Sequence, residues 1–320
     1  MCIRDSVEVM WIKGSGGDIG TLTRKGIAGL YTHRLRNLKK VYGGLADEDR
    51  IVGLFNHCIY DLESRAPSID TPLHGLLPFK HIDHLHPDAL IAVAAAENSE
   101  AITKAIWGDE MGWVTWQKPG FDLGLKLEKC LAVNPKIRGI ILGSHGLITW
   151  GDTSLECYVN SLEVIEKASN YIEEKISQNK VVFSGQKVKP LSENHRQQKA
   201  SELMPILRGL CSSVNQMVGH FTDDDNVLSF VNSYDLDRLA PMGTSCPDHF
   251  LRTKIQPLII PLKLDTGPIN IDLLKRELTP SFENYRRIYK EYYEACKHPN
   301  SPPMRDPNPC LLYTSDAADE

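Results

Sequence analysis

Residues 80–90 read KHIDHLHPDAL, in which His84 and His86 stand two positions apart. Residues i and i+2 of an extended chain point to the same side, so the two imidazoles can approach one point. His81 falls on the opposite side of the extended chain. Converging imidazoles are common metal ligands, but histidines near the end of a strand are also often solvated or bonded to the backbone. A third ligand is needed to decide between these two interpretations.

A third histidine lies in residues 137–150, IRGIILGSHGLITW, which predict a strand, a glycine corner and a second strand. His145 stands at the corner between Ser144 and Gly146, whose small size leaves space around the imidazole. Together with His84 and His86 it matches a catalytic zinc site with three protein ligands and one open position. The sequence therefore predicts a metal centre formed by these three histidines.

An acidic residue upstream, Asp70, is a candidate for moving protons beside such a metal. It lies in the stretch PSIDTPLH, residues 67–74, where a short helix is predicted to begin near Pro72. Ser68 or Asp70 could instead cap that helix. The residues alone leave both roles of Asp70 open.

The first predicted strand, residues 7–13, runs into the glycine-rich stretch GSGGDIG. A strand, a glycine-rich turn and a helix are typical of dinucleotide-binding folds, but the third glycine position of that fingerprint holds Ile19. What remains is a loop whose free backbone N–H groups suit an anion such as a phosphate. A tight turn that needs glycine dihedrals is the alternative interpretation.

Apolar periodicity predicts helices over residues 21–42, 47–63, 121–133 and 154–176, and a strand over residues 89–96. The helix from residue 154 begins with a capping box made by Thr153 and Glu156. Its predicted buried stripe consists of Leu155, Val159, Leu162, Ile165 and Ile172. Later in the chain we expect helices over residues 199–210 and 274–293, the second interrupted at Pro280, and a strand over residues 255–262.

The composition is that of an ordinary globular protein, with 320 residues, 42% of them hydrophobic, and a net charge of −5. This acidic balance gives no reason to expect a nucleic-acid partner. No apolar run approaches the roughly 18 residues that a membrane span requires, and no signal peptide is evident. We therefore expect no membrane partner and a cytoplasmic location. The eight cysteines are scattered singly, which predicts reduced thiols.

Four motifs in this order resemble the class II aldolase/adducin family. They are KGSG at residues 13–16, PSID at 67–70 with His74 after it, HLHP at 84–87, and His145-Gly146 followed by Gly151 and a long helix. The stretches PSIDTPLHGL, HIDHLHPDAL, GTSCPDHFLRTK and SPPMRDPNP further resemble long bifunctional proteins that join a rhamnulose-1-phosphate aldolase region to a short-chain dehydrogenase region.

This resemblance implies a three-layer α/β/α sandwich with a mostly helical C-terminal extension. It implies three groups of site residues: the Zn²⁺ ligands His84, His86 and His145, the catalytic Asp70, and the phosphate ligands Ser15, Gly16 and Ser68. Asp70 stands where the family usually has a glutamate, one methylene longer. Another divalent transition metal could replace zinc.

The activity implied is cleavage of L-rhamnulose 1-phosphate, or a related ketose 1-phosphate, to dihydroxyacetone phosphate and L-lactaldehyde, in a chain that could form a homo-oligomer. A sugar-phosphate epimerase or dehydratase on the same metal site is one alternative. A non-catalytic adducin-like binding module is the other, although three convergent imidazoles weigh against it.

The resemblance also divides the chain. We expect an aldolase-like metal-binding domain over residues 7–180, truncated at its N-terminus, a C-terminal extension over 181–300, and a linker over 301–309 to a dehydrogenase domain that is missing. Residues 1–6 and 310–320, MCIRDS and CLLYTSDAADE, resemble one sequencing adapter translated from opposite strands. We expect both tails to be foreign to the fold.

Overall fold

The computed structural model describes residues 6–179, 181–212, 215–264, 267–299 and 301–316. The chain divides into two compact units, Met1–Ile172 and Glu173–Glu320. Each unit has its own apolar core.

The first unit contains a strand pair and a four-stranded sheet. Its strands are β1 (Val9–Lys13), β2 (Ile27–Tyr31), β3 (His81–Leu85), β4 (Gly112–Val114), β5 (Gly139–Leu142) and β6 (Gly146–Gly151). β1 and β2 pair antiparallel, and the larger sheet has the order β3-β6-β5-β4. β6 is antiparallel to both its neighbours, whereas β4 and β5 are parallel. The predicted strand, corner and strand around His145 are thus the β5–β6 hairpin.

Helices cover both faces of this sheet. They are α1 (Thr32–Asn37), α2 (Glu48–Leu54), α3 (Thr71–Gly75), α4 (Asp88–Ala95), α5 (Ser99–Trp107), α6 (Phe121–Val133) and α7 (Ser154–Gln178). Ile140 and Ile148, paired across β5 and β6, pack in a buried cluster with residues of α3 and α6. The next pair, Ile141 and Leu147, points the other way and packs with α4, α5 and α7. The fold is therefore the predicted three-layer α/β/α sandwich.

A buried carboxylate fixes the start of α6. Glu48 is only 3% exposed and accepts hydrogen bonds from the backbone N–H groups of Phe121 and Asp122, the latter at 3.3 Å. Its Oε2 also accepts from the Tyr42 hydroxyl at 2.8 Å. A carboxylate at a helix N-terminus satisfies free N–H groups and opposes the positive end of the helix dipole.

The secondary structure predicted for residues 89–96 and for residues 21–42 was wrong. Residues 89–96 form most of helix α4, not a strand, because the continuous apolar run ALIAVAA fits a buried helix as well as a buried strand, and alanine favours the helix. The predicted helix over residues 21–42 contains strand β2, which pairs along its full length with β1. Pairing with β1 and burial of Ala28 and Leu30 outweigh the weak helical periodicity there.

The predicted buried face of α7 was wrong for Leu155, Val159 and Leu162, whereas Ile165 packs against a buried cluster as predicted. Leu155, Val159 and Leu162 are 69%, 42% and 47% exposed. The side facing the sheet instead carries small and polar residues, including Asn160 and Ser161. The capping box is confirmed, since Thr153 Oγ1 accepts from the Glu156 backbone N–H at 3.1 Å, although the Glu156 carboxylate accepts from Asp152.

Hydrogen bonds account for this reversal. The Ser161 hydroxyl lies 3.0 Å from Asp83 Oδ2 on β3 and 2.7 Å from the Thr149 hydroxyl on β6. Asn160 Nδ2 donates to the carbonyls of Arg138 at 2.6 Å and Trp150 at 3.2 Å. Buried polar groups on the sheet therefore select the polar face of the helix, because leaving them unpaired costs more than burying a few methyl groups gains.

The second unit is mostly helical, as predicted. It contains α8 (Glu193–Cys211), α9 (Asp225–Val231), α10 (Leu236–Leu239), α11 (Pro247–Thr253), β7 (Leu258–Leu264), α12 (Ile271–Cys296) and β8 (Leu312–Asp316). Its core packs residues of α8, β7 and α12 around the fully buried Phe282 and Leu278. Helix α12 continues through Pro280 rather than stopping there.

Strand β8 lies within residues 310–320 and pairs parallel with β7. The foreign origin of the two tails stays a prediction, and residues 1–5 of the first tail lie outside the described ranges. Every helix within those ranges is too short or too polar to cross a lipid bilayer.

Candidate metal centre

The three predicted histidine ligands converge. His84 lies on β3, His86 follows that strand, and His145 precedes β6. The Nε2 atoms of His84 and His86 are 3.1 Å apart, and one ring nitrogen from each of the three histidines lies within 4.8 Å of the others. Their rings meet edge to face or tilted, with centroids 4.7 to 5.0 Å apart.

The backbone fixes the tautomer of His84. Its Nδ1 lies 2.9 Å from the Leu147 carbonyl oxygen, which can only accept a hydrogen bond. Nδ1 must therefore carry the proton, and the lone pair of the neutral ring resides on Nε2, the atom that faces His86. A hydrogen bond of this kind orients a metal-ligating histidine.

The hairpin corner holds His145 in place. Ser144 adopts a left-handed backbone conformation, with φ of 52°, and its N–H donates to the Ala94 carbonyl of α4 at 2.7 Å. The His145 N–H donates to Leu142 at 2.9 Å, closing the turn. The imidazole is 2% exposed, and its Nδ1 has no hydrogen-bond partner among the described residues.

Burial, together with the neighbouring His84 and His86, lowers the pKa of His145 to about 2. A neutral imidazole can donate a lone pair to a metal ion, and a buried nitrogen without a partner is unusual in a folded protein unless it serves such a role. Nitrogen ligands of tetrahedral zinc lie about 2.1 Å from the metal, which places them roughly 3.4 Å apart. The separation of 3.1 Å between His84 and His86 fits this requirement with a small adjustment.

Asp70 stands at the N-terminus of α3, but its side chain makes no capping hydrogen bond to that helix. The Ser68 hydroxyl donates to Asp70 Oδ2 at 3.2 Å, and the other carboxylate oxygen is buried without a partner among the described residues. The capping interpretation of the Asp70 side chain is therefore wrong. One carboxylate oxygen remains available for another role.

One neighbour of the site went unassigned from sequence. His74 lies one turn after Asp70 on α3. Burial and the charge of His84 lower its pKa to about 4, while Asp70 and the Ile82 carbonyl act in the opposite direction. His74 thus interacts with both Asp70 and His84. The place of His74 in the sequence motif was visible from the sequence, but the packing of α3 beside β3 was not.

The predicted phosphate ligands lie on two adjacent segments. Gly14 forms an isolated antiparallel bridge with Pro67, and the Ser15 N–H donates to the Ala66 carbonyl at 3.1 Å. This pairing brings the exposed loop that contains Ser15 and Gly16 beside the segment that leads to Ser68. Their role as phosphate ligands stays a prediction.

A sandwich with three convergent histidines at the end of a β-hairpin defines a candidate metal-binding α/β protein. Residues 1–172 match the family described as Class II Aldolase and Adducin N-terminal domain, and residues 198–318 match the one described as Aldolase class II, second domain. The chain belongs to the class II aldolase and adducin family.

Known proteins similar to this chain include one curated relative, the uncharacterized oxidoreductase YuxG of Bacillus subtilis, which is 37% identical over 289 residues. That match covers 90% of this chain but 41% of YuxG. The N-terminal class II aldolase domain of a Thermoplasma acidophilum protein is 27% identical, with a TM-score of 0.48, covering 52% of this chain and 76% of that one. An L-fuculose 1-phosphate aldolase is 16% identical, with a TM-score of 0.39, covering 61% and 80%.

Proposed function

We propose that this chain is a metal-dependent aldolase that cleaves L-rhamnulose 1-phosphate, or a related ketose 1-phosphate, to dihydroxyacetone phosphate and L-lactaldehyde. The observation that carries the proposal is the convergence of His84, His86 and His145, with ring nitrogens within 4.8 Å of one another. Family membership supports carbon–carbon lyase chemistry.

The three imidazoles would hold the cation, Zn²⁺ or another divalent transition metal. Bound there, the cation supplies Lewis-acid chemistry, polarising the ketose carbonyl and offsetting the negative charge that develops as the carbon–carbon bond breaks. The chain's own residues bind and orient the sugar and move its protons. The low pKa of His145 keeps its imidazole neutral and able to ligate at neutral pH.

Asp70 would exchange a proton with the substrate through its unpartnered carboxylate oxygen, while Ser68 fixes the other oxygen. Since aspartate is one methylene shorter than the family's usual glutamate, the substrate must approach α3 more closely. Ser15, Gly16 and Ser68 would hold the 1-phosphate, with the backbone N–H groups of the loop and the Ser15 hydroxyl as donors. The Ser68 hydroxyl has one proton, so it would donate to the phosphate only on leaving Asp70 Oδ2.

Rhamnulose 1-phosphate is chosen over other ketose phosphates because of the stretches in residues 67–76 and 81–90 described above. We further propose a cytoplasmic location and a homo-oligomeric assembly; the linker to a dehydrogenase stays a prediction. These proposals do not depend on one another.

The test compares two histidine variants of one strand. Zinc-loaded protein and its His84→Ala and His81→Ala variants are assayed for zinc content and for dihydroxyacetone phosphate released from rhamnulose 1-phosphate, measured by coupled NADH oxidation. His81 is exposed on β3, so H81A serves as the matched control. We expect H84A to lose both zinc and activity, and H81A to retain both.

Asp70 is tested separately. Asp70→Asn keeps the shape of the side chain but removes its basicity, so kcat should fall by about 10²- to 10⁴-fold while zinc content is unchanged. Wild-type protein that isomerises or dehydrates a sugar phosphate without cleaving it would instead establish the epimerase or dehydratase alternative. Failure of the wild-type protein to bind any divalent metal would favour the adducin-like module.

A further inference from the structure

One arginine lies along the glycine-rich loop that follows β1. A Cβ placed on Gly14 would be 2.9 Å from Arg65 Cβ, and a Cβ placed on Gly17 would be 3.5 Å from Arg65 Nη1. The stem of Arg65 therefore starts beside Gly14, the first glycine of the loop, and its guanidinium reaches Gly17. The bridge between Gly14 and Pro67 fixes this arrangement.

The loop is shaped for a close approach from outside. Gly16 and Gly17 both have positive φ, 72° and 78°, and both are exposed. No atom lies within 4 Å of a Cβ placed on Gly16, so the space above it is open. Residues other than glycine would be strained at these positive φ angles. Open space, the exposed backbone of Gly16 and Gly17, and a guanidinium thus occur together at this loop.

The nearby charged groups leave the Arg65 guanidinium available. Lys13 Nζ donates to the Gly16 carbonyl at 2.9 Å, which ties it to the loop backbone and leaves two of its three N–H donors for other groups. The carboxylate of Asp18 accepts from the Gly20 N–H at 3.2 Å, within its own turn. In the described ranges no hydrogen bond or ion pair involves the Arg65 guanidinium, although its side chain is held along the loop.

A guanidinium is a planar fork that matches two oxygens of a phosphate, and charge-assisted bonds of this kind are stronger than neutral ones. Ser15, Gly16 and Ser68 offer only neutral donors to a phosphate dianion. A cation at the edge of this loop supplies the charge that they lack.

We infer that Arg65 is the cationic ligand of the substrate phosphate and sets the preference for phosphorylated over unphosphorylated ketoses. The inference rests on the proposed function for the identity of the substrate. The binding of phosphate itself does not depend on catalysis and can be measured alone.

The first experiment measures inorganic phosphate binding to zinc-loaded protein by calorimetric titration. It compares the wild-type protein with Arg65→Gln, Arg65→Lys and the control Arg276→Gln, an exposed arginine of α12. We expect R65Q to weaken phosphate binding by roughly 10-fold, R65K to restore part of it, and R276Q to change nothing. Zinc content and thermal midpoint should be equal in all four proteins, because the Arg65 side chain is exposed.

The second experiment separates KM from kcat. R65Q should raise KM for rhamnulose 1-phosphate by roughly 10-fold with less than a threefold change in kcat, since the contact is present in both ground and transition states. Its kcat/KM for unphosphorylated rhamnulose should equal that of the wild-type protein. A purely structural role for Arg65 would lower both reactions together.

Phosphate binding that is absent from the wild-type protein, or unchanged in R65Q, overturns the inference. If the wild-type protein cleaves ketose 1-phosphates and R65Q does so with the same KM, the proposed function stands and the inference fails. If phosphate binding depends on Arg65 but no ketose phosphate is cleaved, Arg65 stands as a phosphate ligand, whereas the proposed function and the substrate preference fail.

Discussion

Gly146 is the position where the smallest substitution should disturb the metal centre most. A Cβ placed on this glycine would lie 2.5 Å from His86 Cδ2 and 2.6 Å from the Leu85 carbonyl oxygen. Contacts under 3.0 Å are not tolerated, so the His86 ring and the Leu85 backbone must each move away from the new methyl group by about half an ångström. Metal–nitrogen distances tolerate only about 0.2 Å. A single methyl group therefore exceeds the positional tolerance of His86.

For Gly146→Ala we expect zinc affinity to fall by about 10- to 100-fold, and the free energy of unfolding of the zinc-free protein to fall by about 1 to 3 kcal/mol. Zinc affinity is measured by competition with a chromophoric chelator, and stability by urea denaturation. Gly53→Ala is the matched control, because Gly53 lies inside α2 with no atom within 4 Å of its added Cβ. That variant should bind zinc normally and gain up to about 1 kcal/mol. If G146A holds zinc as tightly as G53A, the geometric reasoning is refuted.

Two further predictions concern stability. Glu48→Gln should lower the free energy of unfolding in urea by about 1 to 2 kcal/mol, because it weakens the buried cap of α6. The control Glu128→Gln breaks a surface ion pair of the same helix and should lower it by less than about 1 kcal/mol. Equal losses in the two variants would contradict the role of Glu48 as a cap. The zinc-free protein should lose stability as the pH falls below about 6.5. The folded-state pKa values of His74 and His145, about 4 and about 2, lie below the unfolded value, so only the unfolded chain gains these protons. Each histidine lowers the free energy of unfolding by at most about 1.4 kcal/mol for each unit of pH, and for His74 this loss ends near pH 4. As the pH falls, the urea midpoint of His145→Gln should therefore fall less steeply than that of the wild-type protein.

The parts of the fold that could be predicted from sequence are those fixed by local chemistry. The β5–β6 hairpin has a glycine corner between two apolar runs, and α6 begins and ends at the predicted residues, Phe121 and Val133. The histidine pair follows from the two-residue repeat of β3. Convergence of His145 with that pair was predicted from its place at the glycine corner, and it agrees with the distances found.

The features that the sequence analysis missed depend on tertiary contacts, which local residue patterns do not show. The strand β2 is stabilised by β1, and α4 is helical because its apolar run is buried between the sheet and α5. The exposed face of α7 was mistaken for the buried one, because apolar periodicity does not identify a face that is buried through hydroxyl and amide groups. His74 and Arg65 acquire their neighbours only when α3 meets β3 and the segment at Pro67 meets the glycine loop.

The polar face of α7 has a consequence for the order in which the first unit assembles. A helix held by an apolar stripe can shift by a turn and still bury much the same area, whereas hydrogen-bonding groups accept only their own partners. Ser161 and Asn160 meet their partners only after β3 and β6 are aligned, since Asp83 lies on β3 and Thr149 and the Trp150 carbonyl lie on β6. Any misaligned docking leaves the Asp83 carboxylate without the Ser161 hydroxyl. These hydrogen bonds of α7 therefore form only once β3 and β6 are in register, and the same register brings the three imidazoles together.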